Sequence, residues 1–279
     1  MPSVKSALDL LKETSRTFYI PISLLPPKLQ EAVASAYLCM RAIDQVEDHA
    51  ALAPELKIKL LKQISLNLQS GTERSTAADF AEGLHGYDGQ LEEVTLRIGE
   101  WALLAPDTIA PRIWDATAAM ADRMAYWADR NWLIQTEADL DRYTFSVAGA
   151  VGLMLSDLWA WHDGTETSRT EAIGFGRGLQ AVNILRNHHE DSDRGVSFFP
   201  LGWTADDMQQ YARRNLTLAD AYTAALPNGP AMLFCRIPLA LAHATLDAIS
   251  QGREKLSRTD VMSIVTPLCQ MAAQSLVRG

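Results

Sequence analysis

The stretch YLCMRAIDQVEDH, residues 37–49, combines one arginine and three carboxylates in a run with helical periodicity. Four of its side chains are spaced i, i+4, i+7 and i+11, which places them along one stripe of an α-helix: Tyr37, Arg41, Asp44 and Asp48. Glu47 lies beside this stripe. An arginine one turn before a carboxylate pair is typical of a site where guanidinium and metal hold the same anion. The stretch therefore predicts a helix with an oxygen-rich patch suited to Mg²⁺.

A second stretch, QAVNILRNHHEDSDRG at residues 180–195, repeats this spacing. Its oxygen ligands, Asn187, Glu190 and Asp191, fall at i, i+3 and i+4. Gln180 and Asn183 precede them on the face of Asn187 and Asp191, and Arg186 lies beside it. A solvated acidic face explains a single patch about as well as a metal site does. A matched pair, each preceded by arginine, favours two facing patches that hold Mg²⁺ against a diphosphate.

The composition suits a globular protein with a large apolar core, since 48% of the 279 residues are hydrophobic and 21% are charged. The net charge of −9 argues against a nucleic-acid partner. Three widely spaced cysteines, Cys39, Cys235 and Cys269, are predicted to be reduced thiols. The N-terminus has no signal-peptide core, and no apolar run reaches the length needed to span a bilayer. The sequence thus predicts a soluble, cytoplasmic protein.

The periodicity predicts an all-α protein, because helical patterns recur along the whole chain and no strand pattern is found. We expect helices near residues 3–14, 27–49, 54–69, 74–86, 89–104, 107–132, 137–162, 167–191, 204–225, 229–251 and 258–277. No linker or internal repeat divides the chain, so residues 1–279 are predicted to form a single domain. Small residues at 148–152 interrupt an apolar helix, and they indicate either close helix packing or room beside a ligand.

With these motifs, the chain resembles the squalene/phytoene synthase family from about residue 14 to about residue 270. Ser15, Arg16 and Phe18 are similar to an N-terminal segment that helps to enclose a diphosphate. Residues 37–48 resemble the first aspartate-rich motif in its D-x-x-E-D form, which is typical of squalene synthases. Tyr143 with residues 148–152, and then residues 180–191, resemble the later motifs of the family.

The resemblance implies the isoprenoid synthase fold, with helices around a central apolar cavity, and the condensation of two prenyl diphosphates. Two farnesyl diphosphates would join head to head through a cyclopropylcarbinyl diphosphate, giving squalene or a related C30 or C40 product. The implied Mg²⁺ ligands are Asp44, Glu47 and Asp48 on one side and Asn187, Glu190 and Asp191 on the other. The implied catalytic residues are Tyr37, Arg41, Tyr143 and Arg186. Ser15, Arg16, Phe18, Gln180 and Asn183 would bind substrate. The apolar product implies peripheral contact with a membrane.

Two departures from the family pattern keep alternatives open. The second motif begins with Asn187 where aspartate is usual, and Arg123 stands where glycine is common. A weakened second metal site would suit a prenyl diphosphate phosphatase or a one-substrate terpene cyclase, and its loss would suit a non-catalytic scaffold protein. Synthesis of squalene would also need NADPH, for which Lys255 and Arg258 are the candidate ligands, whereas phytoene or dehydrosqualene would need no reductant.

Overall fold

The computed structural model describes residues 4–193, 195–253 and 255–276, apart from the side chains of Arg16 and residues 271–276. Within these ranges the chain forms helices and turns and no strand, which confirms the all-α prediction. The chain divides into two compact units, Met1–Trp132 and Leu133–Gly279. The single-domain organisation stays a prediction.

The first unit is built around one long helix that carries the first acidic motif. Its helices are α1 (Val4–Thr14), α2 (Arg16–Ser23), α3 (Pro27–Asp48), α4 (Pro54–Gln69), α5 (Ala77–Phe80), α6 (Glu93–Leu96), α7 (Ile98–Ala102) and α8 (Ala110–Asp129). Helix α3 packs against α1, α2, α4, α6, α7 and α8, and the buried small residues 32–36 allow these neighbours to approach closely. It begins with Pro27 in its first turn and ends where His49 turns to an extended conformation.

The second unit is built in the same way around the helix of the second motif. Its elements are α9 (Glu137–Thr144), a π-helical turn (Phe145–Gly149), α10 (Ala150–Asp163), α11 (Arg169–Asp193), α12 (Ala205–Ala225), α13 (Pro230–Ser250) and α14 (Arg258–Leu276). Helix α11 packs against α9, the π-helical turn, α10, α12 and α13. Each predicted motif therefore lies on the helix that packs against the most neighbours in its unit. This packing holds the two helices that carry the motifs in place.

Close helix packing explains the small residues of the second unit. A Cβ atom on Gly152 would overlap the carbonyl oxygen of Ala172, and one on Gly176 would overlap the carbonyl oxygen of Ala148. Only glycine allows the backbones of α10 and α11 to approach this closely. Of the two alternatives left open for this region, packing is therefore the one that applies at Gly152.

Two of the predicted helices were wrong in extent. The segment at 74–86 forms α5, a short helix with a Thr76–Asp79 capping box, and the beginning of a 3-10 turn at His85–Tyr87. The two are separated because the chain turns at Gly83 with a φ of 79°. The segment at 89–104 divides into α6 and α7 at Arg97, whose φ of −96° and ψ of 16° are not helical. The Arg97 guanidinium forms ion pairs with Glu93 and Glu100, so a charged residue occupies the break.

Helix α2 was absent from the predictions because Pro21 lies inside it and argues against a helix. Ser15 compensates by capping its N-terminus, accepting a hydrogen bond at 3.1 Å from the Phe18 amide. This capped turn places the predicted substrate-binding residues Ser15 and Phe18 beside α3.

One helix has the length and composition of a membrane span, whereas no apolar run of that length was expected from the sequence. Helix α13 has 21 residues and a mean hydropathy of 1.4 over its most apolar window. Within the part of the chain that the structure describes, it is the one helix that meets this criterion, and 56% of its window is buried inside the protein. Arg236 and Pro238 lie within this helix.

Candidate active site

The C-terminal half of α3 carries an arginine and two carboxylates on one partly exposed face. Arg41 Nη1 lies 3.9 Å from Asp44 Oδ2, and the two side chains are 29% and 36% exposed. Asp48, one turn further on, is exposed. Arg41 Nε is buried and has no hydrogen-bond partner among the residues that the structure describes. The guanidinium group therefore retains an unused donor beside the carboxylates.

Two carboxyl groups of this motif, those of Asp44 and Glu47, have raised pKa values. Burial, and then the nearby Asp48, raises the pKa of Asp44 to about 7, while Arg41 acts in the opposite direction. The side chain of Glu47 is buried, and burial together with Asp48 and Asp44 also raises its pKa. A bound cation would offset the cost of ionising Asp44 and Glu47 in these surroundings.

Tyr37 lies at the beginning of the same stripe and contacts α2. Its hydroxyl hydrogen-bonds with Ser15, its ring centroid lies 5.5 Å from that of Phe18, and burial raises its pKa. Three of the predicted residues from two helices are thus brought together in the first unit. The side chain of Arg16 lies outside the described part of the structure. A tyrosine that stays protonated can donate its hydroxyl hydrogen to an anionic substrate.

The second motif lies in the last turns of α11, where Asn187 is already hydrogen-bonded. Its Oδ1 accepts a hydrogen bond at 3.1 Å from Nε of the preceding Arg186. On the same helix, Gln180 lies two turns earlier and is half-buried, and Asn183 lies one turn earlier and is exposed. The amide oxygen that we predicted as a metal ligand is therefore held by the neighbouring guanidinium. The facing arrangement of the two motifs stays a prediction.

Glu190 of this motif forms an ion pair with Lys255, from the loop after α13. Both side chains are more than half exposed. Lys255, a candidate NADPH ligand, therefore contacts Glu190, a predicted metal ligand. Arg258, the other candidate NADPH ligand, is exposed at the start of α14. Asp191 is buried, with 6% exposure. The three predicted ligands of α11 therefore have different surroundings, and Asp191 is the most enclosed.

Two aromatic residues that follow the second motif were missed by sequence reasoning. Phe198 stacks on Tyr143 with ring centroids 4.6 Å apart, and Phe199 stacks on His188 at 4.2 Å. The adjacent pair of phenylalanines before a proline was the available signal. These two stacks fasten the loop after α11 to α9 and to α11 itself, next to Asn187.

The donor chemistry of the first motif fits Mg²⁺. Within residues 4–193, 195–253 and 255–276, no three or more His, Cys, Asp or Glu side chains are grouped as a metal site. Mg²⁺ is usually held by one or two carboxylates together with substrate phosphates, and it keeps several waters. Asp44 and Asp48, one turn apart and beside an arginine with an unused donor, provide such a partial set.

We expect the stability of the metal-free protein to depend on pH through Asp44. Its pKa of about 7 lies above the value of about 3.9 in an unfolded chain, so folding favours the protonated form. The stabilising contribution of Asp44 is complete below that unfolded value and is lost as the pH rises through about 7. Because Mg²⁺ binds the ionised form, it should raise the midpoint of thermal unfolding more at about pH 8 than at about pH 6.

The control for this prediction removes the titration without removing the side chain. Asp44→Asn should reduce the difference between the two pH values, whereas Asp115→Asn on the exposed face of α8 should leave it unchanged. An equal gain from Mg²⁺ at both pH values in the wild-type protein would contradict the assignment of Asp44.

Comparison with known proteins identifies the family of this chain. The squalene/phytoene synthase family model matches residues 11–210. Squalene synthases from Eremothecium gossypii and Schizosaccharomyces pombe are 28% and 30% identical over 98% and 88% of this chain. The chain spans 68% and 60% of the lengths of these two relatives. The human squalene synthase is 27% identical over 97% of this chain and 71% of its own length.

Solved structures show the same fold. A ligand complex of TcSQS has a TM-score of 0.77 at 22% identity, covering 99% of this chain and 90% of that chain. A dehydrosqualene synthase complex has a TM-score of 0.63 at 17% identity, covering 97% and 96%. The fold is therefore the all-helical one of these synthases, and the class of protein is a transferase. The chain belongs to the squalene/phytoene synthase family.

Proposed function

We propose that this protein is a Mg²⁺-dependent prenyltransferase that condenses two prenyl diphosphates head to head. The substrate proposed is farnesyl diphosphate, and the product is squalene or a related C30 or C40 isoprenoid formed through a cyclopropylcarbinyl diphosphate. The observation that carries the proposal is the stripe on α3, where Arg41 keeps an unused buried donor beside Asp44. Membership of the family and the squalene synthase relatives support the reaction type.

The residues of the first unit suit the departure of a diphosphate. Asp44 and Asp48 would hold Mg²⁺, which supplies Lewis-acid activation of the leaving group when bound. Arg41 offers guanidinium donors to the phosphate oxygens, and these donors gain strength as negative charge develops. The Tyr37 hydroxyl, already hydrogen-bonded with Ser15, offers a further donor at the end of the same stripe.

The residues of the second unit suit the binding of a second diphosphate. Asp191, Glu190 and Asn187 would hold the metal there, and Arg186 lies beside them to contact phosphate. Binding at this motif requires Lys255 to release Glu190 or to contact the same anion, because the two side chains are paired without substrate. The buried ring of Tyr143, stacked on Phe198, offers an apolar surface that keeps water from a carbocation.

The test is a product analysis with the purified full chain. Protein is incubated with Mg²⁺ and farnesyl or geranylgeranyl diphosphate, with and without NADPH, and the hydrocarbons are identified by mass spectrometry. A C30 or C40 product supports the proposal, and its formation only with NADPH identifies squalene synthesis. Omission of Mg²⁺ is the matched control, since no condensation is expected without it.

The other candidate functions give different products in the same assay. Farnesol with released diphosphate would indicate a phosphatase, and a cyclic C15 product would indicate a one-substrate cyclase. A protein that consumes no prenyl diphosphate under any condition would fit a scaffold. The cytoplasmic location stays a prediction. We propose peripheral membrane contact for product release rather than insertion of α13, because more than half of its apolar window is buried.

We expect Asn187→Asp to lower the Mg²⁺ concentration needed for half-maximal turnover, because a carboxylate adds the charge that the amide lacks. Asn187→Leu should raise that concentration about tenfold or more, since an oxygen next to the metal is lost. Steady-state rates over a Mg²⁺ titration measure both effects. Indifference to both changes would place residue 187 outside the metal site. Asn228→Leu, which replaces an exposed amide in the turn before α13, is the control for a general polar effect.

A further inference from the structure

The first acidic motif lies at the unfavourable end of its helix. The C-terminus of an α-helix carries partial negative charge and unpaired carbonyl groups. Helix α3 nevertheless ends with Asp44, Glu47 and Asp48 within five residues, and its last turn contains no basic residue. The negative charge of this turn therefore needs a positive partner from elsewhere in the fold.

Lys57 of α4 supplies that partner. Its Nζ donates a hydrogen bond of 2.6 Å to the main-chain carbonyl oxygen of Glu47, and the residue is only 9% exposed. Burial is the main cause of the raised pKa of Glu47, and the Lys57 charge acts against it. The other lysines of α4 that follow, Lys59 and Lys62, are exposed. A buried lysine is rare without a partner, so this contact is specific.

Trp132 also contacts Lys57. The Lys57 ammonium lies 5.4 Å from the centre of the indole ring, a distance at which the ring attracts a cation. Asn131 and Trp132 have φ values of 49° and 51°, a left-handed conformation that non-glycine residues seldom adopt. The end of α8 is thus folded back so that its indole covers the ammonium, with Nε1 close to the Glu47 carboxyl group.

We propose that Lys57 is a positioning residue, which holds the last turn of α3 in the geometry that its carboxylates need for a divalent cation. The contact is to the main chain of Glu47, between the two aspartates of the motif, so it fixes the backbone from which Asp48 projects. The ammonium approaches from α4 and is buried, which leaves the exposed face of Asp44 and Asp48 open to a ligand. This inference rests on the proposed function, because it assumes that the motif binds metal.

The test measures metal binding without turnover. Mn²⁺ affinity is determined by electron paramagnetic resonance, with and without inorganic diphosphate, for the full-length wild type, Lys57→Met, Lys57→Arg and the matched control Lys62→Met. Lys57→Met keeps the apolar stem but loses the donor and the charge, and it should weaken Mn²⁺ binding at least about tenfold. Lys57→Arg keeps both and should restore most of the affinity. Lys62→Met should behave as the wild type.

Thermal unfolding of the same variants without metal separates positioning from a general structural role. If Lys57→Met unfolds at a lower temperature but its folded form binds Mn²⁺ as tightly as the wild type, or more tightly, the inference is overturned. Should this variant fail to fold, Lys57→Gln is measured instead, with the same expected loss. A wild-type protein that binds no Mn²⁺ would contradict the proposed function as well, whereas a normal wild type with unchanged variants contradicts only the role of Lys57.

Discussion

Asp44→Ala or Asp48→Ala is expected to reduce turnover of farnesyl diphosphate by about 10³-fold or more, because each change removes a carboxylate that would hold both the metal and the diphosphate. The expected factor corresponds to roughly 4 kcal/mol of lost transition-state stabilisation. Folding should survive, since Asp48 is exposed and Asp44 is partly exposed. Asp44→Ala also removes a charge that burial disfavours. Product formation under saturating Mg²⁺ measures the loss, and circular dichroism checks the fold.

The first unit offers a matched control for this change. Arg112 and Asp115 on α8 form an i,i+3 ion pair of 3.4 Å, comparable with the 3.9 Å pair of Arg41 and Asp44, but Asp115 is 72% exposed. Asp115→Ala should leave turnover unchanged, because an exposed pair contributes only about 0–1 kcal/mol. Wild-type rates in either Asp44→Ala or Asp48→Ala would show that the α3 motif does not hold the metal.

Sequence reasoning succeeded where the information is local. The spacing of Arg41, Asp44 and Asp48 fixes their common stripe as soon as the segment is helical, and α3 is helical throughout this range. The bounds of α4, residues 54–69, were predicted without error because Pro54 and the following periodicity mark its beginning and length. The capping box of Thr136 and Asp139 at the beginning of α9 is a local signal of the same kind.

The features that escaped prediction depend on contacts between distant segments. The π-helical turn at 145–149 forms where α10 must meet α11 closely, and the sequence pattern shows only a continuous helix. The hydrogen bond from Lys57 to Glu47 joins two helices, and nothing in the periodicity of α4 distinguishes Lys57 from its exposed neighbours. The pairing of Lys255 with Glu190 spans 65 residues. Tertiary packing decides such partners.

Arg41→Ala is expected to lower kcat by about 10²–10³-fold, the loss typical of one preorganised donor to a developing anion. Arg41→Lys should remain at least about tenfold slower than the wild type, because an ammonium is a point charge that cannot bind two phosphate oxygens in a fork. The buried Nε of Arg41 has no partner among the described residues, so its use by a ligand would satisfy a donor that the fold leaves unpaired.

Inhibition by inorganic diphosphate distinguishes phosphate binding by Arg41 from a role in charge balance. Arg112 on α8 provides the matched control. If Arg41 served only to lower the pKa of Asp44, Arg41→Lys would restore the rate, and inorganic diphosphate would inhibit the wild type and Arg41→Ala equally. If Arg41 binds the diphosphate, inhibition by inorganic diphosphate should weaken in Arg41→Ala in proportion to the loss of rate, while Arg112→Ala changes neither quantity. Equal inhibition of the wild type and Arg41→Ala would remove Arg41 from the diphosphate site and leave it as a counter-charge to Asp44.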